Sequence, residues 1–184
     1  VIDNLFIERF SQHNIGLFGY TNNAKLSFIT LTNVNIRGRN NVGAIAGYNG
    51  LSEISHSYGG GNIRGSVNTG GLVGLNSSST LSNSYTSSSV SGETVVGALV
   101  GYNRLSEIKN SYSSTKSITG DSYLSFVAGR SFNSTYNNNF YDRESLLKPN
   151  YDIHFGGATG LTAAQMREPS NFTNWDFMST WNIN

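Results

Sequence analysis

The apolar residues of this chain fall in short runs rich in β-branched and aromatic types, broken by Gly, Asn and Ser. A helix would need apolar positions at three-and-four spacing over ten or more residues, so the pattern predicts short strands and turns. The runs also recur. GAIAG at 43–47 returns as GGLVG at 70–74 and GALVG at 97–101, an earlier IGLFG ends at Gly19, and a weaker SFVAG ends at Gly129. The closing glycines stand 28, 27, 27 and 28 residues apart, and a fixed period of that length is the mark of a repeat architecture.

Four further columns keep the register. Leu31, Tyr58, Tyr85, Tyr112 and Phe140 form a column of large residues, and Ile36, Ile63, Val90 and Ile118 form an apolar one. Gly38, Gly65, Gly92 and Gly120 follow two positions later, while Ile45, Leu72, Leu99 and Val127 lie inside the glycine box. The longer steps place one inserted residue between Gly19 and Leu31 and another between Tyr112 and Ile118, in loops. Each unit reads as three strands: the box GLVG, the segment LSNSY at 81–85 and VSG at 90–92.

No such unit can bury its apolar positions alone, so the units must stack. The expected fold is all-β: a parallel β-solenoid of about 27 residues per coil, three short strands each, with like residues piled into ladders about 4.8 Å apart. Parallel crossovers are right-handed, which predicts a right-handed β-helix. The solenoid is assigned to residues 1–136 and a C-terminal cap to 137–184. The large-residue column puts Tyr85 in the core, and Ser88 falls in a tolerant serine-rich turn. Asn49, Asn76 and Asn103, two residues past each box, predict an asparagine ladder at a corner, where asparagine tolerates left-handed backbone.

Composition narrows the class. Charged residues make up 12% of the chain, about half of the roughly 25% usual in globular domains, and serine and asparagine are expected to fill the surface instead. A net charge of +1 offers no electrostatic footprint for nucleic acid or an anionic membrane. Arg37 and Arg64, beside Ile36 and Ile63, read as repeat-encoded surface positions. The chain has no cysteine, hence no disulfide or thiolate metal site, and no apolar stretch long enough for a membrane span or signal-peptide core. Sequons stand at Asn76, Asn133 and Asn171, relevant only in a eukaryotic source.

The GLFG at 16–19 and GLVG at 71–74, with Ala98 replacing glycine in the third copy, resemble the GLUG motif of large bacterial surface and secreted proteins. These include filamentous-haemagglutinin-like adhesins and the non-catalytic parts of immunoglobulin A-specific metallopeptidases. The resemblance, in register over some 130 residues, implies a β-solenoid, a location outside the cell or on its surface, and a place within a larger chain. It supplies no catalytic residues. The tail is similar to the segment that follows such arrays: Thr162 is expected to cap a short helix over Ala163 to Arg167 stopped by Pro169, and Trp175, Phe177 and Trp181 to cover the last coil.

Candidate chemistry is sparse. His13, His56 and His154 lack metal-ligand spacing, HExxH is absent, and no cofactor or metal is expected. His56 shares the corner column of Asn83 and Asn110. Glu53 and Glu107 stand two coils apart with Thr80 between, a spacing near that of inverting glycosidases, but read as solvated decoration. Asp142, Glu144 and Asp152 have ion-pair partners at hand in Arg143 and Lys148. Trp175 and Trp181 offer an alternative as a sugar-stacking platform. The leading expectation is a non-catalytic structural or adhesive segment with an extracellular protein or glycan ligand. Against it stand a polysaccharide-processing solenoid, which needs a groove of Arg, Lys and Asp, and an ice-binding face, which needs a threonine column that the repeat lacks.

Overall fold

In the central coils the strands pair in parallel with their copies one coil before and after, in the register the repeat dictates. Val73 lies between Ala46 and Val100, Asn76 between Asn49 and Asn103, and Leu81 between Ile54 and Ile108. The computed structural model describes residues 1–144 and 157–181 and is a β-solenoid of about five coils, almost without helix.

Each coil contributes to four sheets where the sequence predicts three strands. In the central coil these are Val67–Gly70 (first sheet), Val73–Ser77 (second), Thr80–Ser82 (third), and Tyr85–Thr86 with Ser89–Ser91 (fourth). LSNSY is two strands because Asn83 sits at φ 46° and turns the chain between them, as His56 does at 49° and Asn110 at 47° in their coils. The box is likewise not a strand along its length: Gly71 and Leu72 make the corner between the first and second sheets. Its last glycine passes beneath the previous coil, and a Cβ on Gly74 would lie 2.4 Å from the backbone of Asn41 and Val42, so no side chain fits there.

Left-handed residues themselves form columns. Asn14, Asn41, Asn68, Val95 and Tyr123 make one, Asn23, Leu51, Ser78, Leu105 and Asn133 a second, and Phe28, His56, Asn83, Asn110 and Asn138 a third, all with positive φ. After most residues of the second and third columns the backbone N–H is turned away from a carbonyl, and a hydroxyl supplies the acceptor, or an amide oxygen where Ser111 N donates to Asn139 Oδ1 at 3.1 Å. Ser52 N donates to Ser79 Oγ at 2.9 Å and Ser79 N to Ser106 Oγ at 3.0 Å, while Ser57 N donates to Ser84 Oγ at 3.1 Å and Ser84 N to Ser111 Oγ at 3.2 Å. Each hydroxyl in turn donates to the carbonyl two residues back, as Ser79 does to Ser77 O at 2.8 Å. These serines are buried, which corrects the expectation that serine fills the surface.

The asparagine ladder exists, but inside the second sheet and not at a corner. Asn49 Nδ2 donates to Asn76 Oδ1 at 2.8 Å and Asn76 Nδ2 to Asn103 Oδ1 at 2.9 Å, with all three residues wholly buried. Thr21 Oγ1 donates to Asn49 at one end and Asn103 donates to the Tyr136 hydroxyl at the other. Asn76 is therefore closed to any glycan. The apolar interior is built from Ile45, Leu72 and Leu99 of the box, Ile54, Leu81 and Ile108 of the third sheet, and Ile36, Ile63 and Val90 of the fourth.

The large-residue column needs correction at its first member and in its role. Thr30, not Leu31, lies beside Tyr58, while Leu31 lies beside Gly59 and points into the core. The inserted residue sits in an irregularity between Leu31 and Val34, later than the sequence suggests; the second insertion does fall between Ser113 and Ile118. The tyrosines face outward and are half-buried: Tyr85 and Tyr112 stack at 5.0 Å. Ser88, by contrast, is wholly buried, its Oγ donating to Gly59 O at 3.2 Å.

The strand register continues past residue 136 through Phe140–Asp142, to which Thr159–Leu161 adds one more parallel strand. Thr162 Oγ1 accepts from Gln165 N at 3.1 Å and Gln165 Oε1 accepts from Thr162 N at 2.9 Å, a capping box. The helix it opens is only a 3-10 turn, Gln165–Arg167, and Pro169 starts a second such turn, Pro169–Asn171, instead of ending the first. Trp175 and Trp181 lie along the flank of the fourth sheet, against Tyr85, Tyr112 and Phe140, so they cover the tyrosine column and not the end of the rod.

Candidate functional site

Where the fourth sheet turns into the first, each coil passes through the column Gly38, Gly65, Gly92 and Gly120. The chain hugs the core there: a Cβ on Gly65 would meet Thr69 Oγ1 at 2.5 Å, and one on Gly92 the same oxygen at 2.9 Å. The residues on either side stand proud of this glycine floor and leave a groove of about 850 Å³ running across the coils. One wall is the column Arg37, Arg64, Ser91 and Thr119, whose members are paired or in register along the fourth sheet. The other is Ser66, Glu93 and Asp121, joined through backbone bonds between successive coils. Phe10, exposed, closes one end.

The groove is bipolar. Its first half carries the guanidinium groups of Arg37 and Arg64, its second half the carboxylates of Glu93 and Asp121. Arg37 is pinned by Glu8 at 3.3 Å, and Glu93 accepts from Ser66 Oγ at 3.3 Å. Among the described residues nothing engages the Arg64 guanidinium. Sequence reading placed Arg37 and Arg64 as equivalent surface positions, which they are, but missed their alignment with Glu93 and Asp121. Read one column at a time, the sequence shows no groove that carries both signs of charge. The signal was present in the 27-residue offset of the second column, from Ser66 to Glu93; it is easily passed over because neither column holds one residue type.

The other sequence candidates do not gather. Glu53, Thr80 and Glu107 form one column on the third sheet, where Glu107 holds Lys109 at 2.8 Å and accepts from Asn137 at 3.0 Å. His56 is a corner residue stacked on Phe28 at 5.1 Å, and His13 is exposed elsewhere. Asp142 accepts locally from Glu144 N, and Glu144 ties in the tail by accepting from Ala163 N. His154, Asp152 and Lys148 lie outside the described residues. Among the described residues no group of three or more His, Cys, Asp or Glu could hold a metal.

The two tryptophans are not an open platform. Their rings stack on each other at 4.2 Å, and Trp175 Nε1 donates to Asn138 O at 2.9 Å. They bury Tyr112, whose hydroxyl is pushed well above its ordinary pKa, first by burial and then by Tyr85 and Tyr58. A second stripe, aromatic except at Leu75, runs down the second sheet through Tyr20, Tyr48, Leu75 and Tyr102. Tyr20 and Tyr48 stack at 4.8 Å and the Arg130 guanidinium lies 5.4 Å over Tyr102. Rings stacked along the rod spend their faces on each other, which leaves their edges for solvent.

No protein-family model matches the chain, and no curated protein matches it. A crystal structure from Bacteroides ovatus, of a protein whose assignment as an immunoglobulin A1 protease is provisional, has a similar fold. The TM-score is 0.68 at 15% sequence identity, over 95% of this chain and 70% of that one. The likeness is one of fold.

Proposed function

We propose that this chain is a non-catalytic structural and adhesive segment of a bacterial surface or secreted protein, related to GLUG-motif arrays, and that it binds an extracellular ligand through its groove. The observation that carries the reading is the division of labour between inward and outward positions. The ladders of asparagine, serine and aliphatic residues hold the coils together, whereas Arg64, Glu93 and Asp121 take no part in those ladders yet line one continuous concave surface. The similarity in fold to the Bacteroides protein supports a bacterial setting.

A polysaccharide-processing role is the second reading, because Glu93 and Asp121 stand on successive coils in the same groove. Both carboxylates are exposed in an open groove that does not exclude water from a reaction, and the binding reading is preferred. Adhesion of the purified chain to bacterial or epithelial cells, compared with an Arg64→Ala/Glu93→Gln/Asp121→Asn variant, tests it. Adhesion lost in the variant supports groove binding. Release of reducing sugar from a polysaccharide, lost in Glu93→Gln, would replace binding by catalysis.

A further inference from the structure

We propose that the groove takes an extended oligosaccharide bearing an isolated carboxylate, laid along the rod with its acid group at Arg64 and its hydroxyls against Ser91, Glu93, Thr119 and Asp121. This deepens the binding reading above and rests on it. Three observations point to that chemistry.

The first concerns the floor. Its backbone donors are already spent: Gly38 N donates to Arg64 O at 3.0 Å, Gly65 N to Ser91 O at 3.0 Å, and Gly92 N to Thr119 O at 3.0 Å. An extended peptide gains much of its affinity by pairing its main chain with an open strand edge, and among the described residues no such edge faces the groove. Recognition falls to side-chain hydroxyls, carboxylates and a guanidinium, which suit a ligand dense in hydroxyl groups.

The second concerns charge. Arg64, which no described residue engages, can hold a carboxylate in a bidentate pair, while Arg37 is already engaged by Glu8. Glu93 and Asp121 further along are acceptors only, so they take hydroxyl donors and repel a ligand with an anion on every unit. A uniform polyanion, whether nucleic acid or polyuronate, meets like charge over half of its length. A neutral sugar leaves Arg64 without a partner. A chain with one acid followed by hydroxylated units matches both halves.

The third concerns length. The walls repeat once per coil, at about 4.8 Å, close to the span of one pyranose unit in an extended glycan. Successive sugars therefore meet successive wall residues, with the exposed ring of Phe10 at the Arg37 end available to an apolar sugar face.

Titration of the whole chain with 3′-sialyllactose, lactose, a hexameric oligogalacturonate and an acidic peptide, followed by NMR shift mapping and calorimetry, tests the assignment. Sialyllactose is expected to bind with shifts confined to the groove, and about tenfold more tightly than lactose, as removal of one charge-assisted pair dictates. Arg64→Ala should abolish that preference with an unchanged melting temperature, and Glu53→Gln on the third sheet should leave it intact. Equal binding of lactose, a preference for the oligogalacturonate or the peptide, or an Arg64→Ala variant that binds as well as the parent would each overturn the ligand assignment. If cells still bind through the groove, the binding reading survives that loss. If neither cells nor glycans bind, both fall.

Discussion

At the scale of single residues the ladders expose two positions where the chain departs from its own column. Val95 sits at φ 59° between Asn68 and Tyr123 in the left-handed column, a conformation in which a β-branched residue is strained by about 1–3 kcal/mol. Above it, Asn41 Nδ2 donates to Asn14 Oδ1 and Asn68 Nδ2 to Asn41 Oδ1, both at 2.8 Å. Val95→Asn relieves the strain and extends this outer ladder by a coil, so it should raise stability by about 1 kcal/mol in chemical denaturation. Thr69 is the mirror case. It lies wholly buried between Val42 and Val96, and its Oγ1 has no partner among the described residues; Thr69→Val keeps the shape, removes the orphan hydroxyl, and should add about 1 kcal/mol. Asn76→Ala works in the opposite direction. It strands the buried Nδ2 of Asn49 and Oδ1 of Asn103 and should cost about 3 kcal/mol, and a midpoint unchanged from the parent would show that the ladder is dispensable.

At the scale of elements the tyrosine column and the tail act together. Because Tyr85 is half-buried on a flank while Leu81 is wholly enclosed, Leu81→Ala should cost about 3 kcal/mol and Tyr85→Ala less, about 1–2. The order of the two denaturation midpoints checks this. Trp181 touches both Tyr85 and Tyr112, and Trp181→Ala should expose the tail to limited proteolysis while the solenoid melts near the parent temperature. The same contact has a pH dependence. Burial raises the pKa of Tyr112 and Tyr85 in the folded state above their ordinary value, so their packing contributes fully below about pH 10 and is lost as pH rises through the folded values. Tryptophan fluorescence should therefore report release of the tail above about pH 10, before the far-ultraviolet signal of the strands is lost.

At the scale of the whole molecule each coil touches chiefly its neighbours, so stability grows with the number of stacked layers. Val67 pairs with Thr94, which makes residues 67–93 one complete coil. Inserting a second copy of 67–93 after Glu93 should lengthen the rod by about 4.8 Å in small-angle scattering and raise the melting temperature; a collapsed or aggregated product would mean that coils are not interchangeable. What the sequence by itself determined is whatever repeats with the coil: the solenoid, its period, the inward column of Ile63 and Val90, the box leucines and the stacking of Asn49, Asn76 and Asn103, because identical residues at a fixed step can only be satisfied by stacking. Tertiary structure alone decided which way each column faces and what meets it from another part of the chain. The left-handed turn at Asn83 splits one apparent strand into two and sends Tyr85 outward, Thr30 takes the place of Leu31 because the chain bulges before Val34, and Trp175 and Trp181 lie on the flank while Thr159–Leu161 adds a strand to the last coil. The groove belongs to this second group: its walls are two columns of unlike residues, Arg64 with Ser91 and Ser66 with Glu93, made into one surface only because the chain hugs the core at the glycines between them.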